Sequence, residues 1–432
     1  MDEPLEPPCS QVAPPADWRT RTIHTDIFTS AEEMAREAKN LWPHVWTVAA
    51  RVEELSQPGD YVTTEVAGHS LVVVRQLDGQ FGAFYNVCQH RAHPLVPPGA
   101  GNARAMRCPY HAWVFGLDGA LLSVPDEDRF CPALDKSAIH LTTVRSEVWA
   151  DMVWVNLSAT AQPLRHYLGS VADELDAYHL EDYAAIENLT IETACNWKLQ
   201  AHAQFEFYHI QALHAAARAY SDSGSLRFYL HGSHVQMVVP FGSPRDTDAH
   251  LRERGGVVQP AGRQAFDQYL RSIGVDKDAI RGVETGHLEI QQYLRGRSDI
   301  YNYSELADNQ LSEMYSYTIF PNVCISVWAN IYNIMRFRPH ATDPGRSYLD
   351  YFIGTRVPRG EARPPFPKRR SFAVGQSRTG IIPVLKEDLV ALEAVQKNLT
   401  SPGYNGPHLF AEEMLIQHYH DEIARYVARD TP

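Results

Sequence analysis

Two short cysteine–histidine pairs constrain this chain more than anything else in it. Cys88-Gln89-His90 and Cys108-Pro109-Tyr110-His111 each place one thiol and one imidazole close enough to share a loop, and seventeen residues separate the pairs. The surrounding texture is β. Tyr61-Val62-Thr63-Thr64, Leu71-Val72-Val73-Val74 and Met152-Val153-Trp154-Val155 are short runs rich in β-branched residues. Asp78-Gly79 and Asp118-Gly119 are hairpin-turn signals between apolar stretches. An all-β unit from about Trp46 to Leu157 therefore carries two loops. Together they can enclose a metal centre with two sulfur and two nitrogen donors. The bland alternative is four unrelated residues in hairpin loops.

Two metals suit such a donor set. Zinc accepts two Cys and two His. A Rieske two-iron cluster takes two Cys on one iron and two His on the other. Zinc fingers put both Cys in one pair and both His in the other. Here each pair is mixed, so each loop would contribute to both irons. The stretches from Cys88 to Leu95 (CQHRAHPL) and from Cys108 to Phe115 (CPYHAWVF) resemble the two loops of the Rieske ring-hydroxylating oxygenases. That family usually has Gly where Ala92 and Ala112 stand, and Ala adopts most backbone shapes other than positive φ. The resemblance implies a 2Fe–2S Rieske cluster held by Cys88, His90, Cys108 and His111. Cys9, Cys131, Cys195 and Cys324 read as isolated small hydrophobes.

A cluster of this kind only moves electrons, so oxygen chemistry needs a second site. Beyond Ser158 the pattern is α+β: helices expected over 164–178, 201–219, 385–398 and 409–428, strands over 189–200, 226–240, 314–337 and 347–356, and loops over 242–263 and 357–383. Within it, Asn196-Trp197-Lys198-Leu199 leads into Glu206-Phe207-Tyr208-His209 and then His214. Two His and one carboxylate form the facial triad of non-heme Fe(II) oxygenases. Five residues of α-helix rotate about 500°, about 140° past a full turn. His209 and His214 therefore do not share a face of an ideal helix. A helix end or a π-bulge between them is required.

The order Asn-Trp-Lys, acid, Tyr-His, His resembles the catalytic domain of the same oxygenase family, and the likeness covers roughly residues 45–430. It implies an α+β chain: an all-β Rieske iron–sulfur domain plus a helix-grip (START-like) catalytic domain with an antiparallel sheet. It further implies a mononuclear Fe(II) held by His209, His214 and an Asp in a late helix. Asp388, within Lys386-Glu387-Asp388-Leu389, falls on that position, with Glu387 its nearest rival. Plain N-terminal helix charge is the bland reading of both. Glu206 would bridge His209 to His111 of a neighbouring subunit in a head-to-tail C₃ homotrimer. The family position is most often Asp, so Glu adds one methylene. His202 stands where relatives carry other residues; a satisfied core histidine is the first reading, and a pocket group or spare ligand the second.

The implied activity is that of a terminal oxygenase component acting on an aromatic or polycyclic substrate with O₂. Electrons would come from a ferredoxin or flavin reductase, and a β-type subunit is an open addition. Demethylation of N- or O-methyl groups uses the same iron and is the alternative. An electron-transfer Rieske protein without a second metal is the reading from another class.

The domains are expected at 1–43 (tail and a helix over 27–42 packing on the catalytic domain), 44–160 (Rieske) and 161–432 (catalytic). Ser30 and Glu33 mark the start of that first helix as a capping box. The formal charge of −13 speaks against nucleic acid and anionic membranes as partners. Six Cys in 432 residues fit a reducing cytoplasm. Met1 to Asp17 has no signal-peptide pattern, and no apolar run approaches the roughly 18 residues of a membrane span. Phe205, Phe207, Ile210 and Leu213 beside the histidines are candidate pocket liners. Ile319, Phe320, Val327 and Trp328 are candidates further on. The polar segment 242–300 is a candidate lid. Arg356 to Arg370 holds six Arg or Lys. It reads first as a solvated loop and second as a docking patch for an acidic redox partner.

Overall fold

Ser30 divides the first helical stretch. Its backbone is extended (φ −88°, ψ 129°), so the single helix expected over 27–42 is two, Asp26–Thr29 and Ala31–Asn40. The Ser30 hydroxyl accepts from the backbone N–H groups of Glu32 and Glu33 at 3.1 and 3.3 Å, which caps the second helix. The structure, a computed structural model, describes residues 23–214, 226–240, 261–281, 283–409 and 413–428. The Pro-rich start from Met1 to Asp17, the expected helix beyond residue 214 and most of the loop over 242–263 lie outside the described residues. Among the described residues no helix is long and apolar enough to cross a membrane.

The chain divides into two units. One is Ala35–Tyr167 joined by the segment that begins at Tyr426; the other is Leu168–Arg425 joined by the segment that ends at Met34. The first holds ten strands: β1 (Thr47–Arg51), β2 (Asp60–Val66), β3 (His69–Arg75), β4 (Phe81–Tyr85), β5 (Ala100–Asn102), β6 (Met106–Arg107), β7 (Val114–Phe115), β8 (Leu121–Ser123), β9 (Arg145–Trp149) and β10 (Met152–Asn156). They form sheets ordered β1-β10-β9, β4-β3-β2-β5 and β6-β7-β8. Both Asp-Gly pairs sit in hairpin connections, between β3 and β4 and between β7 and β8. Gly119 is obligatory there: its φ is +86°, and a Cβ would stand 2.6 Å from the Phe84 ring. Val72, Val74, Phe84, Trp113 and Phe115 make the core of this unit, and Cys88 and Cys108 are buried within it.

Among the described residues the second unit is built on one sheet of eight strands: β11 (Tyr183–Thr193), β12 (Arg227–His231), β13 (His234–Val239), β14 (Met314–Ile319), β15 (Val323–Val327), β16 (Ile331–Pro339), β17 (Ser347–Arg356) and β18 (Arg370–Phe372). Their order is β12-β13-β14-β15-β16-β17-β11-β18. Every pairing is antiparallel except β18 on β11. That edge strand lies inside the stretch expected to be loop over 357–383. On β17, Asp350 is buried and receives hydrogen bonds from Arg336 (2.6 and 2.8 Å), Arg338 (2.6 and 3.1 Å) and Thr190 (2.8 Å). Those partners lie on the two flanking strands, so the network ties β16, β17 and β11 together.

Two expected elements are replaced. The helix over 164–178 breaks at Gly169 (φ +54°) into Leu164–Leu168 and Ser170–Asp176. The strand over 189–200 stops at Thr193, because Asn196 turns the chain: its side-chain oxygen accepts from Lys198 N–H at 3.0 Å and caps the helix Trp197–His202. The same Asn196 amide donates to the carbonyls of Pro344 (2.7 Å) and Phe28 (3.3 Å). The helix Trp197–His202 packs on β16 and β17, and the helix Pro383–Asn398 packs on it in turn.

Candidate metal centres and substrate cavity

The two cysteine loops of the first unit have one backbone design. Ala92 N–H donates to Cys88 O and Cys88 N–H to His93 O; likewise Ala112 N–H donates to Cys108 O and Cys108 N–H to Trp113 O, all at 2.8–3.0 Å. Closing each loop puts Ala92 and Ala112 at φ +57°, the left-handed region that their missing glycines would have entered freely. The His90 and His111 rings stand 4.6 Å apart, and Trp113 stacks on His90 at 4.8 Å and 4°.

The donor set fits an iron–sulfur cluster. Nδ1 of His90 and of His111 are buried atoms without a hydrogen-bond partner among the described residues, an arrangement that is costly unless a metal takes the lone pair. Burial raises the Cys88 thiol above its ordinary range, the backbone N–H of His90 lowers it, and neighbouring Cys108 raises it again. A thiol so placed ionises readily only with a cation beside it. Burial also lowers the His90 imidazolium, with His111 and Arg91 adding to the effect, which keeps a ring nitrogen unprotonated for metal.

In the second unit the histidine spacing is resolved by a helix end. His209 precedes and His214 follows a single turn, Ile210–Leu213, and His214 leaves the helix at φ −109°, ψ 69°. Their rings come within 5.2 Å at 81°. Asp388, in the helix Pro383–Asn398, puts Oδ1 2.7 Å from His214 Nε2 and 3.7 Å from His209 Nε2. One donor atom from each of the three lies within 4.8 Å of the others, and two imidazoles with one carboxylate are the donor set for Fe(II) with open positions.

Both imidazoles are held from behind by glutamates. Glu206 Oε1 lies 2.5 Å from His209 Nδ1, and its Oε2 accepts from the His209 backbone N–H at 3.0 Å. Glu387 Oε2 lies 2.8 Å from His214 Nδ1. Glu387 is thus the partner of the far nitrogen of the His214 ring, while Asp388 faces the space shared with His209. Burial alone would lower the His214 imidazolium, but Asp388 and then Glu387 outweigh it and raise it. The helix carrying Asp388 is clasped to the chain leading to the histidines: Glu393 accepts from Ala194 N–H at 3.1 Å and Gln396 from Asn196 N–H at 2.9 Å.

His202 is a core histidine. Its Nε2 lies 2.7 Å from Nε2 of His420, and burial, with Lys198 nearby, brings it down to about 3, so both rings are neutral. It lines a second cavity of about 300 Å³ that also reaches Glu206, His209 and Leu213.

The metal trio forms part of the wall of a cavity of about 250 Å³. Phe207, Ile210 and Trp328 line it as expected, with Met237, Met335 and Tyr351. Phe205, Ile319, Phe320 and Val327 are buried core instead. Tyr269 and Ser272, from the helix Ala261–Ser272, bring part of the segment 242–300 to the cavity. The basic run is largely committed to the fold. Arg356 is buried and donates to the carbonyls of Tyr178 and Ala329. Arg363 donates to those of Glu181 and Tyr183, Arg359 reaches Asn302, and Arg370 pairs with Glu187.

Ser316, Ser326 and Asn333 also line the cavity, and sequence reading missed them. Alternation along single strands marks them as polar positions, but only the pairing of three strands puts them side by side.

Comparison with known proteins agrees with this geometry. The family model for the Rieske [2Fe-2S] domain matches residues 45–144, and that for the ring hydroxylating alpha subunit (catalytic domain) matches 180–429. The carnitine monooxygenase oxygenase subunit of Acinetobacter pittii (strain PHEA-2) is 30% identical over 237 residues, 54% of this chain and 62% of that protein. The large oxygenase component of the naphthalene 1,2-dioxygenase system of Pseudomonas putida is 32% identical over 231 residues, 50% of this chain and 51% of that one. The matches thus span less than two thirds of these relatives' length. In fold the chain is similar to a quaternary ammonium Rieske monooxygenase solved with L-carnitine (TM-score 0.66, 21% identity, 96% and 99% of the two chains). It is likewise similar to naphthalene 1,2-dioxygenase from Rhodococcus sp. (TM-score 0.68, 16% identity, 96% of each). With its loop pairs, its metal trio and a family match over more than half its length, the chain belongs to the ring-hydroxylating alpha subunits of the Rieske oxygenases.

Proposed function

We propose that the protein is the terminal oxygenase component of a Rieske-type non-heme iron oxygenase that hydroxylates or dihydroxylates an aromatic or polycyclic compound. The observation that carries this is the trio of His209, His214 and Asp388 on the wall of a mainly apolar cavity. Iron held by His209, His214 and Asp388 would supply O₂ activation, and a 2Fe–2S cluster held by Cys88, His90, Cys108 and His111 would supply single electrons. The protein's own residues do the rest. Glu206 and Glu387 fix the tautomer and aim of the two imidazoles. Phe207, Trp328 and Met335 exclude water and hold a ring beside the metal position.

A ferredoxin or flavin reductase would supply electrons, and in a homotrimer Glu206 would join His209 to His111 of a neighbouring subunit. Support comes from Glu206 lying on His209, and from the partial exposure of the His90 and His111 rings. The unpaired state of Cys88, Cys108, Cys131, Cys195 and Cys324 supports a cytoplasmic setting.

A second reading is removal of an N- or O-methyl group by hydroxylation of the methyl carbon. It draws on the likeness to carnitine monooxygenase subunits and on the Trp328 and Tyr269 rings at the cavity, which suit a quaternary ammonium. One experiment tests both. Reduced enzyme is incubated with aromatic, steroid and methylated-amine compounds, and product-coupled O₂ uptake is measured. Phenol or diol products are expected; formaldehyde release selects the second reading. Iron restricted to the cluster, with none at the trio, refutes both.

A further inference from the structure

Three adjacent strands carry a polar row into the cavity beside the metal trio. Ser316 on β14 stands opposite Ser326 on β15, which stands opposite Asn333 on β16. Directly opposed residues share a sheet face, and all three line the cavity. The Ser316 and Ser326 hydroxyls are 2.9 Å apart. Two hydroxyls carry two protons, and their mutual bond uses one. Among the described residues the other has only Cys324 Sγ within reach, at 3.5 Å from Ser316 and 3.8 Å from Ser326, a weak acceptor. The Asn333 carboxamide, two donors and an acceptor, has no hydrogen-bond partner among the described residues. A polar row on the sheet face of a mainly apolar cavity is matched only by a ligand or water that bonds to it.

The charge pattern narrows the ligand. Among the described lining residues none is Lys or Arg, and Asp388 is the only acid. Apart from a metal at the trio, a carboxylate-bearing ligand would meet no counter-charge there. At a protein-like packing density of about 0.75, about 250 Å³ accepts a body of bicyclic size. The metal ligands come from helical segments and the row from the sheet, so a ligand bonded to the row presents a different part of its skeleton to the metal.

We infer that the cavity takes a neutral ring compound of about bicyclic size whose carbonyl or hydroxyl group hydrogen-bonds to Asn333 and the Ser316–Ser326 pair. That contact selects it over the bare hydrocarbon and over the carboxylate of the same skeleton. This deepens, and rests on, the oxygenase reading of the same site. Asn333 and Ser326 act as specificity determinants.

The test is anaerobic binding to reduced, iron-loaded enzyme, with tetralin, tetralone and tetralin carboxylate titrated calorimetrically. Tetralone is expected to bind about tenfold tighter than either of the others. In Asn333→Leu, which keeps the branched shape and the number of side-chain heavy atoms, the tetralone advantage should fall below about threefold while tetralin stays within about twofold. Ser326→Ala, a smaller change, should reduce the advantage in the same direction. Equal affinities for tetralone and tetralin in the unmodified enzyme, absence of tetralone binding, or an advantage that survives both substitutions overturns the inference. No turnover occurs in this assay. Failure of the oxygenase reading shows separately, as missing O₂ uptake while the binding order holds.

Discussion

Glu387 and His214 form a carboxylate–imidazole pair, Oε2 to Nδ1 at 2.8 Å, on the side of the ring away from Asp388. Such a partner fixes ring orientation and raises ligand basicity, and its loss commonly costs 10- to 100-fold in metal affinity. Glu387 is half-exposed, so the low end applies. Glu387→Ala should weaken iron binding about tenfold in a chelator competition, and Glu387→Gln should recover part of that. Unchanged iron affinity in Glu387→Ala would remove the positioning role.

Glu206 spends both oxygens on His209. Glu206→Gln should retain the Rieske absorbance and the mononuclear iron yet nearly stop turnover. The informative measurement is reoxidation of the reduced cluster in a single turnover, which should slow along with product formation. Normal product formation would exclude Glu206 from the relay.

Ala92 and Ala112 hold φ +57° where glycine is free to go. Ala92→Gly and Ala112→Gly should each stabilise the first unit by about 0.5–1 kcal/mol. The readout is the denaturant midpoint for bleaching of the cluster, which should move up. A lower midpoint in both variants would show that these loops need the methyl groups for packing.

Burial alone would raise the Asp350 carboxyl, but Arg338 and Arg336 hold it well below the usual carboxylate range. A depressed folded-state value means stabilisation that is fully present above the unfolded value of about 3.9 and fades as pH falls below it. Asp350→Asn, which takes the shared carboxylate from buried Arg336 and part-buried Arg338, should cost about 3–5 kcal/mol at neutral pH. The gap between the variant and the unmodified protein should narrow below about pH 4. Urea unfolding at two pH values checks both statements, and a gap that is constant down to pH 2 would contradict the linkage.

The parts legible in the sequence were those carried by contiguous residues. The Cys88 and Cys108 loops close on their own backbone within six residues, so their chemistry shows in the order of side chains. His209 and His214 were legible as a pair that required a helix end, and the one-turn helix between them supplies it. Asp388 was legible only through family likeness, because nothing local distinguishes it from Glu387; the distinction is which face of the His214 ring each one meets. Asn196 was misread as strand because apolar Cys195, Trp197 and Leu199 keep alternating with polar residues after β11, and a cap is decided by its hydrogen bonds. Arg356 looked like a surface cation until the carbonyls of Tyr178 and Ala329 appeared beside it. The polar row depends on the register of β14, β15 and β16, which no single segment encodes.

The clasp of Glu393 and Gln396 onto Ala194 and Asn196 bears on when the ligands are ordered. The entropy of bringing distant side chains together is lost as the chain folds rather than when the metal arrives. The affinity of a metal held by His209, His214 and Asp388 would therefore be coupled to a joint that never touches it. Gln396→Ala should loosen iron in the chelator competition although Asp388, His209 and His214 are all intact, and unchanged affinity would uncouple the two. Seen this way the site is a preset socket, and its fit is guarded by the far end of the helix that supplies its carboxylate.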